Sequence, residues 1–194
     1  MNRTLSALVA ALALPLAACD SWYVEAEQPL ACLTLQPQTF LIPTIAPVPG
    51  GGFEGSWTET TTVNVGDVLP GFILDGPPQD RRIQLVSFGI SLTGGATNLD
   101  WLKSLQVSAT NMITPVQLVA YQGGVPAGAR SINLPASNPG ANLADYLASG
   151  NLTLVVSGSA SVPAGSTIPS TWTGSVNVCV QAHVKKTFNQ MINP

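Results

Sequence analysis

Short runs of β-prone residues recur along most of this chain, separated by Gly, Pro and Asn, and none of them continues into a long helical period. A chain with this pattern can bury a core only by packing strands in sheets, which is typical of a sandwich or a barrel. We therefore predict an all-β fold, an antiparallel β-sandwich with one or two short helical turns. The predicted strands are 57–65, 82–92, 105–110, 116–121, 131–134, 152–162 and 175–184.

Local signals refine this prediction at four places. The alternation of apolar residues changes phase within 82–92, which predicts a β-bulge near Leu85. The segment 36–55 contains four prolines and a triple glycine, so it is expected to form a long loop or an extended edge. Two short helical turns are expected over 99–103 and 143–148 because an asparagine precedes each of them.

Composition limits the number of domains and the kind of partner. The chain has 194 residues, of which 45% are hydrophobic, and this is enough for one domain with a core, which we place at 29–194. Charged residues make up only 9%, against about 25% in typical soluble domains. The net charge is −3, and the seven Lys and Arg residues form no long basic run, so nucleic acid is not an expected partner.

The N-terminus has the features of an export signal. A short basic segment, 1–3, precedes an apolar stretch, 5–14, that is too short to span a membrane. The residues that come next, Leu16-Ala17-Ala18-Cys19, resemble the lipobox of bacterial lipoproteins. This resemblance implies that 1–18 is a signal peptide, that Cys19 carries acyl chains such as palmitate, and that these chains anchor the protein to a membrane. The alternative is an ordinary secretory signal with a chance cysteine.

If the resemblance holds, residues 19–28 form the lipid anchor and a short polar tether. The protein then belongs to the bacterial cell envelope, on the periplasmic or surface side of a membrane. Asp20 resembles the signal that retains lipoproteins in the inner membrane of enteric bacteria, but sorting rules differ between lineages, so inner and outer membrane both remain open. Trp22 and Tyr23 are expected either at the lipid headgroups or packed on the domain.

The number of cysteines supports the same interpretation. Acylation of Cys19 leaves Cys32 and Cys179 as an even pair, and each lies on the more polar face of a predicted strand. We predict a disulfide between them, which also predicts that the first and last strands of the domain are neighbours. Unpaired thiols or a bond to another protein are the alternatives. A zinc site is not expected because the chain has no C-x-x-C motif and its only histidine is His183.

Motifs for catalysis and cofactor binding are absent from the sequence. A single histidine gives little basis for a catalytic triad, and neither the nucleophile-elbow motif nor a phosphate-binding glycine motif occurs. The aspartates are spread over predicted loops, where turn and capping roles are expected. We therefore expect no enzyme activity, no cofactor and no metal.

Two tryptophans leave one functional alternative open. Trp57 and Trp172 lie in runs rich in Ser and Thr, and exposed tryptophans often form flat platforms for sugars. We expect both to be buried, because a chain with so few aromatic residues needs them in its core. The leading hypothesis is a non-catalytic binding or scaffolding domain of the envelope, whose partner is another envelope protein or a glycan. The alternative is a carbohydrate-binding module.

Overall fold

A computed structural model describes residues 23–27, 30–68, 81–110, 114–148 and 150–187 of the chain. These ranges include all seven predicted strands and the two cysteines of the predicted disulfide. The predicted signal peptide, the predicted acylation site Cys19 and Trp22 lie outside the described residues.

The described residues form two antiparallel sheets, which confirms the predicted all-β sandwich. Sheet A contains β1 (Tyr23–Glu27), β2 (Ala31–Thr34), β3 (Gln38–Leu41), β6 (Arg81–Gly94), β9 (Ser131–Pro135) and β12 (Thr171–Thr187). Sheet B contains β4 (Thr44–Pro47), β5 (Phe53–Asn64), β7 (Leu102–Thr110), β8 (Pro115–Gln122), β10 (Leu147–Ala148) and β11 (Asn151–Val162). All seven predicted strands are present, and most of them extend by a few residues beyond the predicted bounds.

One long strand organises each sheet. In sheet A, β12 pairs with β6 on one side, and on its other side it pairs in succession with β3, β2 and β1. In sheet B, β11 lies between β5 and β7, with β4 and β8 beyond them at the edges. Within the segment 36–55, the short strands β3 and β4 lie at sheet edges, as the extended-edge prediction has it, whereas 53–55 begin β5, which is an interior strand of sheet B.

The core lies between the sheets and follows the alternation of the sequence. On β11, every second residue from Leu152 to Val162 is buried, and the residues between them are partly exposed. On β12 the same alternation buries Val176, Val178 and Ala182, while Asn177 and Gln181 take the outer face. Because successive strand residues point to opposite faces, the apolar residues of both sheets meet in one core.

The predicted bulge is confirmed one residue beyond Leu85. In the pairing of β6 with β12, Cys179 opposes Ser87 and Val180 opposes Leu85. Val86 is therefore left without an opposite residue, and its side chain is 37% exposed. The extra residue restores the buried phase for Phe88 and Ile90.

The two predicted helical turns have different outcomes. The second exists as a 3₁₀ turn over Leu143–Tyr146, where the Asn142 side chain accepts a hydrogen bond from the Ala144 N–H. The first prediction, 99–103, is wrong: the chain makes only a tight turn and enters β7 at Leu102. The Leu99 and Trp101 side chains are buried there, and β7 begins too soon for a helix to continue. A four-residue helical turn that was not predicted, α1 (Val65–Val68), comes directly after β5.

Candidate functional site

The two cysteines of the domain form a disulfide between neighbouring strands. Cys32 on β2 lies directly opposite Cys179 on β12, with a Cα–Cα distance of 4.1 Å and an S–S distance of 2.10 Å. Both the predicted bond and the predicted pairing of early and late strands are confirmed. The bond consumes both sulfurs, so neither cysteine is a free thiol or a zinc ligand in this structure.

The disulfide lies on the outer face of sheet A. Cys179 is 8% exposed, whereas Cys32 is an exposed residue of a four-residue strand. The two cysteines are 147 positions apart in the sequence, so the bond joins the beginning of the domain to its end. The bond holds β2 on β12.

Trp57 and Trp172 do not form a platform. Trp57 is 3% exposed and Trp172 is 1% exposed, as expected for core residues. Their rings lie 5.9 Å apart in an edge-to-face arrangement, and Trp172 also stacks on Phe40 at 4.0 Å. Since neither ring presents a face to solvent, the candidate sugar-binding role of these two tryptophans has to be corrected to a role in the core.

This aromatic cluster includes Trp101, whose ring lies 5.7 Å from that of Trp57 and 5.5 Å from that of Trp172. The Trp101 indole N–H donates to the Asn98 carbonyl oxygen at 2.8 Å. Within the described residues, the indole nitrogens of Trp57 and Trp172 have no hydrogen-bond partner. Packing, and not hydrogen bonding, therefore holds these two rings in place.

Two glycines make room for the rings. A Cβ added at Gly158, which lies opposite Trp57 in the sheet, would overlap the Trp57 ring and lie 2.8 Å from the Ser104 carbonyl oxygen. At Gly174 an added Cβ would lie 2.6 Å from a Trp172 ring carbon. These positions explain why two glycines occur in the interior of long strands, where a glycine normally weakens the sheet.

An open groove lies on the outer face of sheet B. Its volume is about 410 Å³, which is within the usual range of small-ligand sites. Its walls come from β4, β5, β7 and β11, and of its nine lining residues four carry a hydroxyl and three are Ala or Gly. The lining residues are Thr44, Ala46, Glu54, Gly55, Ser56, Lys103, Ser159, Ala160 and Ser161.

A second bulge shapes this groove. In the pairing of β11 with β7, Ser159 opposes Ser104 but Ala160 opposes Leu102, so Lys103 has no opposite residue. The Ser104 and Ser159 hydroxyls are 2.6 Å apart and hydrogen-bonded. The groove floor thus has a fixed hydroxyl beside a lysine that the bulge displaces from the regular ladder.

A glycine shapes the opposite wall. A Cβ added at Gly55 would lie 2.7 Å from the Ile42 side chain and 3.0 Å from the Thr44 carbonyl oxygen. The absence of a side chain at Gly55 therefore lets the chain pass closely from Ile42 into β4. This close approach forms the rim of the groove at Thr44 and Ala46.

The groove contains two charges of opposite sign. Glu54 and Lys103 are both exposed, and neither forms an ion pair or a side-chain hydrogen bond with any described residue. They remain available to a ligand, together with the four hydroxyl side chains of the lining. The sequence analysis did not predict that Glu54, Lys103 and these hydroxyls lie together. The alternating Ser and Thr residues of 56–62 and 157–161 are the sequence signal for a hydroxyl-rich outer face.

Two aspartates outside the groove are hydrogen-bond acceptors in loops. The Asp100 carboxylate accepts the Gly128 N–H at 2.7 Å, and the Asp145 carboxylate accepts the Asn142 amide at 3.3 Å. His183 is partly buried and lies opposite Arg82 and Glu27 in the sheet. No group of three or more His, Cys, Asp and Glu that could hold a metal occurs in the described part of the chain.

Across the described ranges, no helix is long and apolar enough to span a membrane. No family model matches the chain, and no curated protein matches it. One solved structure that is similar in part is a chain of the Desmodium yellow mottle tymovirus, at 13% identity. The match covers 82% of this chain and 89% of the viral one with a TM-score of 0.31, so neither a fold family nor a function is drawn from it.

Proposed function

We propose that this protein is a lipid-anchored component of the bacterial cell envelope. In this proposal residues 1–18 are removed, Cys19 is acylated, and the β-sandwich binds or scaffolds another envelope component without catalysing a reaction. The observation that carries the proposal is the sequence Leu16-Ala17-Ala18-Cys19 directly after an apolar leader.

The disulfide supports export. Disulfides persist in oxidising compartments and are rare in the bacterial cytosol. The bond between Cys32 and Cys179 accounts for two of the three cysteines and leaves Cys19 as the remaining one, at the end of the apparent lipobox. A cysteine reserved for acylation is a simple reason for the odd total.

The position of β1 limits how far the domain can lie from an acylated Cys19. Only three residues separate Cys19 from Tyr23, the first residue of β1. Four residue steps span at most about 14 Å. An acylated Cys19 would therefore hold the β1 end of sheet A close to the bilayer surface.

The groove lies at the other end of the sandwich. Asn142 accepts the Ile83 N–H, and the turn after Asn142 leads to Leu152, so the start of β11 lies at the β1 end. The groove residue Ala160 is eight strand steps further along β11, a distance of about 26 Å. In the anchored protein this groove would lie about that far from the β1 end, on the outer face of sheet B, where other envelope components could reach it.

The roles of the acids support a non-catalytic domain. The Asp100 carboxylate accepts the Gly128 N–H of another loop, the Asp145 carboxylate accepts the Asn142 amide within its own turn, and Glu54 is the only carboxylate that lines the groove. Glycosidases need a pair of carboxylates about 5–10 Å apart, and the groove lining offers one. Binding is thus the activity that this arrangement supports best.

Mass spectrometry and fractionation test the anchor. Protein extracted from membranes should have lost residues 1–18 and gained the mass of a diacylglyceryl group on Cys19. A Cys19→Ala variant should leave the membrane fraction, whereas Cys32→Ala, a matched control at another cysteine, should stay in it. A native protein that begins at another residue or has no acyl mass would overturn the proposal.

A further inference from the structure

We infer that the groove on sheet B binds an envelope glycan whose sugars carry ionised groups, both a carboxylate and an ammonium. The inference concerns the ligand of the proposed envelope protein, and it rests on that proposal only for the location of the ligand. Its basis is the set of nine lining residues and their chemistry.

The hydroxyl groups point to a hydroxylated ligand. Thr44, Ser56, Ser159 and Ser161 each offer a hydroxyl that can donate or accept a hydrogen bond. The hydroxyls of sugars have the same dual capacity. Because the serines belong to paired strands of one sheet, their positions are fixed before the ligand binds, which lowers the entropic cost of binding.

The two charges restrict the class of sugar. Lys103 offers an ammonium to a carboxylate, and Glu54 offers a carboxylate to an ammonium. A neutral polysaccharide would leave both charges without a partner, and the groove has no aromatic side chain on which neutral sugar rings could stack. A glycan that carries both kinds of charge matches every polar group of the lining.

A peptide strand is a poorer match. Peptides that add to a sheet need a free edge with regular backbone donors. The groove lies on a sheet face, and the adjacent edge strand β4 ends at Pro47, which has no N–H to donate. The side chains of the groove, and not its backbone, are therefore the groups available for recognition.

Titration calorimetry of the full acylated protein in detergent micelles tests the inference. The probe is the disaccharide of peptidoglycan without its peptide and without its N-acetyl groups, so that the sugars themselves carry hydroxyls, a free lactyl carboxylate and free amines. Its neutral counterpart is an N-acetylglucosamine oligomer of the same ring number. We expect saturable binding of the charged fragment that weakens with added salt, and binding of the neutral oligomer that is at least about tenfold weaker.

Substitutions locate the site. Lys103→Met and Glu54→Gln should each weaken binding of the charged fragment about tenfold or more. Arg130→Gln removes an exposed cation outside the groove lining and should leave binding unchanged. Fluorescence of the buried tryptophans reports whether each variant is folded, so a folding defect is recognised independently.

The outcomes separate this inference from the proposed anchor. Absence of binding by the charged fragment, or equal binding of the neutral oligomer, overturns the inference. Unchanged binding after Lys103→Met overturns it as well. Loss of acylation would be seen in the intact mass and would leave binding at the groove unaffected, because the groove is remote from Cys19.

Discussion

The outer faces of the two sheets differ in how they are held and in what they present to solvent. Sheet A has the disulfide on its outer face and uses one 17-residue strand, β12, to hold three short strands. Sheet B has no cross-link among its described residues, and its outer face is rich in hydroxyl side chains. These are Ser56, Thr58, Thr60 and Thr62 on β5, Ser104, Ser108 and Thr110 on β7, and Thr153, Ser157, Ser159 and Ser161 on β11.

Strand length explains this difference. β2 and β3 have four residues each, so each forms only a few ladder hydrogen bonds with β12. In sheet B, β5 and β11 pair over all twelve of their residues. Sheet A therefore needs a covalent bond to keep its first strands in place. Sheet B is held by its own ladder, so the side chains of its outer face are not needed to keep these strands together.

Removal of the disulfide is expected to have the largest effect. In the chain-entropy model a closed loop of this length contributes about 5 kcal/mol, so Cys32→Ser combined with Cys179→Ser should lower the free energy of unfolding by about that amount. Urea unfolding measures the change. Thr34→Ala, on the same short strand, should cost under about 1 kcal/mol. A loss below about 2 kcal/mol for the double variant would show that the ladder alone holds β2.

The next largest effect is expected in the shared core. Trp172 belongs to sheet A and contacts the rings of Phe40, Trp57 and Trp101, so Trp172→Ala should cost about 3–5 kcal/mol. Thermal or urea unfolding followed by circular dichroism measures this. A cost below about 1 kcal/mol would contradict the burial of this ring between the sheets.

A smaller loss of stability is expected from substitution of Gly158, which makes room for the Trp57 ring in sheet B. An added Cβ in Gly158→Ala would overlap the Trp57 ring, and overpacking of this kind costs about 1–3 kcal/mol. The matched control is Gly124→Ala, where the added Cβ has no atom within 4 Å. Equal unfolding midpoints for the two variants would contradict the close packing of Trp57 on β11.

The hydrogen bonds of Asn142, which tie the turn before β10 of sheet B to β6 of sheet A, are expected to contribute less to stability. Asn142 accepts hydrogen bonds from the Ala144 N–H at 3.2 Å and from the Ile83 N–H at 3.0 Å. Asn142→Ala removes the one oxygen, Oδ1, that accepts both hydrogen bonds, and should cost about 1–2 kcal/mol. Asn138→Ala, in the same loop, removes no side-chain hydrogen bond that we find in the described residues. The difference between the two unfolding free energies measures the contribution of these hydrogen bonds.

Much of the fold could be predicted from the sequence because strand alternation is local. The bulge near Leu85 was visible as a change of phase, and the disulfide agreed with cysteine parity and strand faces. The turn at 99–103 could not be predicted in the same way. Its asparagine signal is compatible with either a helix or a tight turn, and burial of Trp101 decides between them.

The groove could not be predicted from the sequence. It requires β4 to lie beside β5, and Lys103 reaches it only because β7 has a bulge opposite β11. Neither pairing leaves a local signal, since register depends on contacts between distant segments. The burial of Trp57 and Trp172, in contrast, is predicted from the small number of aromatic residues and is confirmed. The Ser and Thr neighbours of Trp57 take the outer face while its ring takes the inner one.

The smallest effect on stability is expected for the charged residues of the groove. This prediction tests most directly whether the outer faces of sheets A and B have different roles. Lys103 and Glu54 are exposed and have no partner among the described residues, so Lys103→Met and Glu54→Gln should each change the free energy of unfolding by under about 0.5 kcal/mol. Urea unfolding of both variants, with Arg130→Gln as an exposed control, measures this. If the outer face of sheet B serves recognition, these substitutions change binding and leave stability alone. A loss of stability above about 1 kcal/mol would instead show that the charges help to hold sheet B together, as the disulfide holds sheet A.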